Sequence, residues 1–277
     1  MLTEDEMIWA VEVAATLGVE KLRITGGEPL IKRNILSICQ RAAAVAGIRD
    51  LSITTNGILL PKLAKPLREA GVSRVNLSID TLNPKKYQYI TRCGALEQAI
   101  EGLHVALDAG FEKIKINTVL IGGFNEDEIQ DIALLTKQYP VDVRFIELMP
   151  MYSSGDFNQR AFIPCTTVLD KFPEAKRISP DGGVAQLYHL PDALGNIGLI
   201  RPLTEHFCAQ CNRIRVTADG TIKPCLHAKA EFSIKRMCKE EMRVQFERAI
   251  RSKPLCHEEL SPTCYSRAGR AMNQIGG

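Results

Sequence analysis

The chain has 277 residues, of which 45% are hydrophobic and 24% charged, and its formal net charge is +3. This is the composition of an ordinary globular protein, long enough to bury one barrel-sized core or two smaller ones. The small net charge argues against a nucleic-acid partner, and no apolar stretch is long enough to cross a membrane. The cysteine count, nine, is odd, and the chain opens on a charged helix rather than a secretory signal, so a reducing compartment is expected.

Strands and helices are predicted to alternate through the first half of the chain. A capping box at residues 3–6 starts a helix that reaches Leu17. Strands are then predicted at residues 21–25, 51–55, 74–80, 113–120 and 142–148. Helices are predicted between them at residues 34–46, 61–70, 96–109 and 125–138. This alternation with short connections predicts a parallel α/β sheet, open or curled toward a barrel.

Each predicted strand leads into polar or glycine-rich residues, namely TGGEP, TTNG, SIDT, IGGFN and ELMP. Ligands bind at the carboxyl ends of the strands in such sheets, so these loops are predicted to form the functional face. Arg23, Lys115 and Arg144 also lie between apolar neighbours within strands. An outward-facing position would explain one such cation. Three of them near carboxyl ends predict a lumen that binds an anion, because unpartnered buried charges are costly.

The alternation stops near Pro150, and a second, smaller unit is predicted after it. Residues 153–162 are predicted to form a loop, Pro164 to open a short helix, and residues 184–190 and 198–201 to form strands. A helix is predicted from residue 233 to residue 250. The polar tail ends in two glycines, which composition alone would assign to a disordered end. The predicted domains are therefore residues 1–150 and 151–277.

The segment HFCAQCNRIRVTADGTIKPCL carries the clearest chemical pattern in the sequence. Cys208 and Cys211 are separated by two residues, so both thiolates can reach one metal centre. Cys225 can close on the same centre if the chain doubles back. Residues 213–217 alternate like a strand, and the following Asp-Gly pair is a hairpin turn signal. A hairpin with metal ligands at its mouth is therefore predicted.

The identity of the metal stays open on spacing alone. A structural zinc ribbon needs four protein ligands, and the candidates for the fourth (His206, His227 and Cys238) do not lie at ribbon spacing. Three cysteines with an open position also suit a four-iron cluster. Arg213 and Arg215, two residues apart beside this site, favour a phosphorylated or carboxylated ligand.

The other cysteines show no metal-like pairing. Most of them are predicted to be small buried hydrophobic side chains. They are Cys39, Cys93, Cys165, Cys238, Cys256 and Cys264.

Taken together, these motifs resemble the radical S-adenosylmethionine superfamily. GGEP follows the first predicted strand, TTNG the second, and NLSIDT and RFIELMP span the third and fifth. With CAQCNRIRVTADGTIKPCL and the terminal Gly-Gly, nearly the whole chain is similar to the family of molybdenum cofactor biosynthesis protein A, the GTP 3′,8-cyclases. The resemblance implies an α/β fold: an incomplete (β/α)6-type TIM-like barrel lacking its first strand, and a smaller C-terminal α+β domain carrying the cysteine hairpin.

The family implies a radical reaction on GTP. One four-iron cluster cleaves S-adenosylmethionine to a deoxyadenosyl radical, which abstracts hydrogen from the ribose C3′. The C3′ radical attacks guanine C8 on the way to cyclic pyranopterin monophosphate. A second 4Fe-4S cluster holds the purine through its open iron. By the resemblance, Cys208, Cys211 and Cys225 are the ligands of this second cluster, which favours iron over zinc.

The resemblance also implies roles for single residues. Those that would surround GTP are Arg23, Thr54, Lys115, Arg144, Arg213 and Arg215. Those that would contact S-adenosylmethionine are Gly27, Ser78 and Met149. Those that would be catalytic are Arg144, Gly276 and Gly277, with the two glycines inserted into the active site rather than disordered.

The sequence departs from the family pattern at one place. The family's radical-generating cluster uses a CxxxCxxC motif after the first barrel strand, and this sequence begins in what corresponds to the following helix. The expectation is that the chain as given lacks the ligands of the first 4Fe-4S cluster and cannot make the radical. The alternatives are a non-catalytic GTP-binding or zinc-ribbon scaffold, and a different radical enzyme that acts on a peptide or sugar.

The resemblance also implies partners and a location. The partners are GTP, a second copy of the chain in a homodimer, and a downstream cyclic pyranopterin monophosphate synthase, with no nucleic acid and no membrane. The location is the cytoplasm of a bacterium or, in a eukaryote, the mitochondrion.

Overall fold

Five parallel strands with helices between them form the centre of the structure. The computed structural model describes residues 1–92, 94–151, 161–179, 183–257, 260, 264, 266, 268–270 and 272–275. The central strands are β1 (Lys21–Ile24), β2 (Asp50–Thr55), β3 (Arg74–Ser78), β4 (Lys113–Leu120) and β5 (Val141–Glu147). The helices are α1 (Glu4–Thr16), α2 (Ile35–Ala43), α3 (Leu60–Glu69), α4 (Pro84–Thr91), α5 (Leu96–Asp108) and α6 (Ile129–Gln138). Neighbouring strands pair in parallel in chain order, which confirms the predicted α/β alternation.

The same sheet continues beyond β5. After α7 (Thr167–Asp170) come β6 (Lys176–Ile178), β7 (Gln186–His189) and β8 (Ile197–Ile200), and the strand order becomes β1-β2-β3-β4-β5-β8-β7-β6. β8 pairs with β5 in parallel, whereas β7 and β6 add antiparallel. β7 and β8 overlap the predicted strands. β6 is not predicted, because its short sequence KRI is exposed along its length and shows no apolar alternation.

The two faces of the parallel strands differ in polarity, because successive residues of a strand point to opposite sides. On one face, the registered neighbours Ile53, Val75 and Ile114 are at most 3% exposed. They share one core with helix residues such as Leu67 of α3 and Leu103 of α5. The helices therefore cover the apolar face, and the polar side chains of the strands lie on the other.

The C-terminal part packs onto the N-terminal helix. A small antiparallel sheet is formed by β9 (Arg215–Val216), β10 (Thr221–Lys223) and β11 (Phe232–Ser233), and α8 (Lys239–Arg251) and α9 (Met272–Ile275) follow it. Leu2 and Val13 share a buried cluster with Ile222 of β10 and Phe246 of α8. The backbone N–H of Leu2 also donates to the carbonyl of Ala218 at 2.8 Å. The small sheet is thus held by both α1 and α8.

Two helices, α4 and the short α9 in the C-terminal tail, are missing from the sequence prediction. In α4, the Asn83 side chain accepts a hydrogen bond from the N–H of Lys85 at 2.9 Å, and Pro84 occupies the first turn. These capping signals are present in the sequence. The helix is short and Tyr87 is its buried residue, so apolar periodicity does not reveal it.

Another helix begins later than predicted. α8 starts at Lys239 rather than at residue 233, because the N–H of Cys238 donates to the Glu241 carboxylate at 2.9 Å and caps the helix there. Residues 232–233 pair with β10 instead. Among the helices in the described part of the chain, none combines the length and apolar character needed to cross a membrane.

We expect a Gly102→Ala variant to be less stable than the wild-type chain. Gly102 of α5 approaches the turn after β2 so closely that an added Cβ would lie 2.2 Å from the carbonyl oxygen of Gly57. Overpacking of this kind costs about 1–3 kcal/mol, because backbone must move. Chemical denaturation should show this loss. Glu101→Ala, at an exposed position of the same helix, should stay within about 0.5 kcal/mol. Equal denaturation midpoints for the two variants would contradict the close approach.

Candidate functional site

Polar side chains line the second face of the parallel strands. Thr54, Asn76 and Lys115 are registered neighbours on β2, β3 and β4, and Arg144 of β5 lies opposite Asn117. Lys115 is 4% exposed and Arg144 is 6% exposed. The sequence predicted these cations near the carboxyl ends of their strands, and that prediction is wrong for these two. Lys115 is the third residue of the eight-residue β4, and Arg144 is the fourth of the seven-residue β5. The two cations therefore lie beneath the loops that follow the strands.

Arg23 of β1 lies among four other arginines. Burial by surrounding protein, followed by the charges of Arg144 and Arg213, lowers its pKa to about 10. Arg74 and Arg215 act in the same direction. Arg23 is nevertheless exposed to solvent. The structure thus brings the predicted cations of the sheet and of the hairpin together.

The hairpin arginines add positive charge that is only partly offset. Burial, followed by the charge of Arg213, lowers the pKa of Arg215 to about 10. The Arg213 guanidinium lies 5.4 Å from the centre of the Phe207 ring, and within the described residues its buried Nε has no hydrogen-bond partner. Arg74 differs, because its Nε donates to the Asp50 carboxylate at 2.8 Å. The site as a whole favours an anion with several acceptor oxygens.

The three predicted metal ligands lie at the open end of the β9–β10 hairpin. Cys208 and Cys211 belong to one tight 3-10 turn, in which the N–H of Cys211 donates to the carbonyl of Cys208 at 3.0 Å. Cys211 and Cys225 both act electrostatically on Arg215. Over the described residues, however, no three His, Cys, Asp or Glu side chains converge as a group able to hold a metal ion. The thiols lie in one region without forming a finished ligand set.

The chemistry of these thiols suits thiolate ligation. Burial disfavours the Cys211 thiolate, but the backbone N–H of Arg213 and the charges of Arg213 and Lys253 outweigh burial and lower the Cys211 pKa. Burial raises the pKa of Cys208, and the neighbouring Cys256 adds to that shift. Thiolates are the form in which cysteine binds metals. The chemistry of the donor set therefore fits a metal or iron–sulfur group, and the pKa of Cys211 is shifted toward the thiolate form.

The residues predicted to contact S-adenosylmethionine lie at or beyond the ends of strands. Gly27 follows β1 and Ser78 ends β3, and both are exposed, whereas Met149 follows β5 and is half-buried. The Glu28 carboxylate, beside Gly27, accepts a hydrogen bond from the N–H of Asn56 at 2.8 Å. That bond joins the loop after β1 to the loop after β2, so it limits how far the two loops can move apart.

Gly276 and Gly277, predicted to be catalytic, lie outside the described residues. The residue before them, Ile275, is 3% exposed and belongs to the same buried cluster as Leu226. Leu226 directly follows Cys225 in the chain. The described part of the tail therefore reaches the cysteine hairpin.

The remaining cysteines only partly match the prediction. The buried ones are Cys39 and Cys165, and burial raises the pKa of Cys39 to about 12. The exposed ones are Cys238, Cys256 and Cys264. The prediction that most of these cysteines are buried is wrong for the described residues, because the C-terminal ones lie at the start of α8 or after it, away from the sheet core. Cys93 lies outside the described residues.

Sequence reasoning missed two residues near the site. Lys253 lies beyond α8, and its Nζ donates to backbone and sulfur atoms of the cysteine segment. Its distance along the chain from that segment gives no signal of the contact. Asp80 lies just beyond β3, and the SIDT motif that contains it was the available signal.

We expect an Asp80→Asn variant to remove one source of pH dependence from the free energy of unfolding. Burial raises the Asp80 pKa from 3.8 to about 6, although its carboxylate accepts a hydrogen bond from the N–H of Val119 at 2.8 Å. Between about pH 4 and 6 the folded chain thus binds more protons than the unfolded chain, and this group's contribution to stability falls as pH rises. An amide stays neutral and can still accept the bond from Val119. Denaturation at several pH values should show the variant gaining stability relative to wild type as pH rises; a constant difference would contradict this.

Two family models match the chain in succession. The Radical SAM superfamily model matches residues 1–136, and the model described as Molybdenum Cofactor Synthesis C matches residues 141–259. A GTP 3′,8-cyclase of Alkaliphilus oremlandii is 43% identical over 285 aligned positions, which cover 100% of this chain and 88% of that protein. A GTP 3′,8-cyclase of Alkaliphilus metalliredigens is 41% identical with the same coverage, 100% and 88%. Among solved structures, the FeFe-hydrogenase maturase HydG matches with a TM-score of 0.44 and 16% identity, over 52% of this chain and 35% of that chain.

Proposed function

Because the chain belongs to the GTP 3′,8-cyclase family of the radical S-adenosylmethionine superfamily, we propose that its function is the conversion of GTP to 3′,8-cyclo-7,8-dihydro-GTP in molybdenum cofactor biosynthesis. The radical step of that reaction needs a 4Fe-4S cluster on a CxxxCxxC motif, which these 277 residues do not contain. One observation carries the proposal: the charges of Arg144, Arg213 and Arg215 all act on Arg23, and the thiol of Cys211 acts on Arg215, so these groups of the sheet and the hairpin share one region. Clustered guanidiniums suit a triphosphate, and neighbouring thiols suit an iron–sulfur cluster.

In this proposal the cations hold the triphosphate of GTP. Guanidinium groups offer paired, planar donors that match phosphate oxygens. The lowered pKa values of Arg23 and Arg215 report burial and mutual repulsion, and a bound polyanion would offset both. Lys115 would add a point charge from β4, and Thr54 would add a hydroxyl from β2. The nucleotide would then be held between the sheet and the hairpin.

Cys208, Cys211 and Cys225 would hold a 4Fe-4S cluster. Bound there, the cluster would supply an iron with an open position for the guanine. The chain's own contribution is electrostatic, because Arg213 and Lys253 favour the thiolate of Cys211. Three cysteines without a fourth at ribbon spacing, together with family membership, support iron over zinc.

The loops after the strands would bind S-adenosylmethionine through Gly27, Ser78 and Met149. If bound beside a reduced 4Fe-4S cluster, which in the family is held by a CxxxCxxC motif, this cofactor would take up one electron and supply the deoxyadenosyl radical together with methionine. Glu28 would keep the Gly27 loop in place through its bond to the next loop. Arg144 would be catalytic because it lies beside the other GTP cations, and Gly276 and Gly277 would act with it from the tail.

The proposal extends to architecture and partners. The five parallel strands would be part of a (β/α)6-type barrel, with residues 1–150 as the barrel domain and residues 151–277 as the cysteine domain, whose β6, β7 and β8 extend the sheet of the barrel domain. The enzyme would act as a homodimer and pass its product to a cyclic pyranopterin monophosphate synthase. These proposals rest on the family resemblance.

A non-catalytic GTP-binding or zinc-ribbon scaffold is the second candidate function. In the described part of the chain, no three potential ligands converge on a metal position, which is compatible with a GTP-binding scaffold that holds no metal but gives no support to a zinc ribbon, which needs four ligands. A scaffold would need the nucleotide or a structural zinc but not an iron with an open position.

Anaerobic reconstitution with iron and sulfide, followed by nucleotide titration, tests the proposal. We expect an iron–sulfur cluster whose electron paramagnetic resonance signal changes when GTP binds. ATP is the matched control, since it carries the same triphosphate on a different base and should change the signal less. Zinc uptake in place of iron, or a signal that GTP leaves unchanged, would favour the scaffold.

A further inference from the structure

Lys253 connects the two chain segments that carry Cys211 and Cys225. Its Nζ donates to the carbonyl oxygen of Arg213 at 2.8 Å and to that of Pro224 at 3.0 Å. A third contact joins Nζ to the sulfur of Cys211 at 3.6 Å. A lysine ammonium has three donors and no acceptor. The three contacts therefore use all its donors, and all three lie on the cysteine segment.

The position of Lys253 is set by α8. The N–H of Lys253 donates to the carbonyl of Ile250 at 3.2 Å, which fixes the backbone just beyond the helix. The helix in turn buries Met242 and Phe246 in the cluster shared with α1 and β10. Lys253 is half-buried, and its backbone is held at the end of α8. Its side chain therefore loses less conformational entropy when the ammonium makes these contacts than a fully exposed lysine would.

We propose that Lys253 is a positioning residue for the iron–sulfur cluster, which holds the segments of Cys211 and Cys225 together and donates a charged hydrogen bond to the Cys211 sulfur. This inference rests on the proposed function, because it requires a cluster on these cysteines. The carbonyl of Arg213 lies two residues after Cys211, and that of Pro224 directly precedes Cys225. Fixing both carbonyls on one ammonium limits how far the two sulfurs can separate.

The contact with sulfur gives Lys253 a second effect, on the reduction potential. A reduced cluster carries one more negative charge than the oxidised one, and hydrogen bonds to its sulfurs are among the features that set the potential. A cation bonded to a ligand sulfur therefore stabilises the reduced form. Loss of one charged hydrogen bond corresponds to roughly a tenfold change in that equilibrium, which is about 59 mV for one electron.

The test compares three variants of the full chain after anaerobic reconstitution. Lys253→Met keeps the apolar stem and removes every donor, whereas Lys253→Gln keeps neutral donors and removes the charge. Lys229→Met is the control, because Lys229 is exposed and four residues after Cys225, so the same charge is lost near the site without these contacts. We expect Lys253→Met to lose iron to a chelator about tenfold faster than wild type, and Lys253→Gln to lose it at an intermediate rate. The potential should fall in both Lys253 variants, and Lys229→Met should match wild type.

The outcomes separate this inference from the proposed function. Faster iron loss and a lower potential in chains that fold normally by circular dichroism would support it. Wild-type iron retention and potential in Lys253→Met would overturn it. If Lys253→Met does not fold, Lys253→Gln decides, because a wild-type potential there overturns the charge effect. A wild-type chain that takes up no iron would instead refute the cluster, and with it the proposed function.

Discussion

An Arg215→Ala variant is expected to bind GTP about 10- to 100-fold more weakly than the wild-type chain. A hydrogen bond to a charged group contributes about 1.5–3 kcal/mol, and 1.4 kcal/mol corresponds to a factor of ten in affinity. Arg215 is half-buried, and burial followed by the charge of Arg213 lowers its pKa to about 10. A phosphate would offset both unfavourable effects, so the guanidinium is placed for a polyanion. Titration calorimetry with GTP measures the loss.

The same variant should not destabilise the unliganded protein, which separates a binding role from a structural one. Removing one of several like charges relieves repulsion with Arg23 and Arg213. We therefore expect an unliganded Tm equal to or above that of wild type, and a smaller rise in Tm on adding GTP. Arg251→Ala is the matched control, because that side chain is 82% exposed. Wild-type affinity in Arg215→Ala, or an equal loss in the control, would place the triphosphate elsewhere.

A Cys225→Ser variant is expected to lose nearly all of the iron bound at the C-terminal cysteines. Iron–sulfur clusters are held by thiolates, and the serine hydroxyl stays protonated at neutral pH. Cys208 and Cys211 come from one tight turn, so without Cys225 no thiolate reaches the cluster from the second strand of the hairpin. Iron and sulfide per chain after anaerobic reconstitution, together with the visible absorbance, measure the loss.

Cys238→Ser is the matched control for the cysteine variant. Cys238 is an exposed thiol at the start of α8, so its replacement removes one sulfur without touching the hairpin. It should retain the wild-type iron content. Equal iron in Cys225→Ser and Cys238→Ser would mean that the cluster uses other ligands than those proposed.

The sequence by itself determined the order and kind of the central elements, because the signals that specify them act over a few residues. The capping box that begins α1 is present, with the N–H of Thr3 donating to Glu6 at 2.7 Å and the N–H of Glu6 donating to Thr3 at 3.2 Å. The strand predicted at residues 113–120 is β4 over its full length. The alternation of polar and apolar residues along that strand also identified Lys115 as a cation between apolar neighbours within a strand. Each of these inferences needs only neighbouring residues.

Only the tertiary structure decided which distant segments meet. The charge of Arg215 in the C-terminal part acts on Arg23 near the start of the chain, and Lys253 reaches Cys211 from beyond α8. Sequence spacing specifies neither meeting, because each depends on how whole elements pack, here α1 and α8 against β10. The spacing of apolar residues in the sequence shows that α1, α8 and β10 each have an apolar surface to bury. It does not show which element each surface packs against, because that depends on the complementary shapes of the surfaces and on all the elements being buried together.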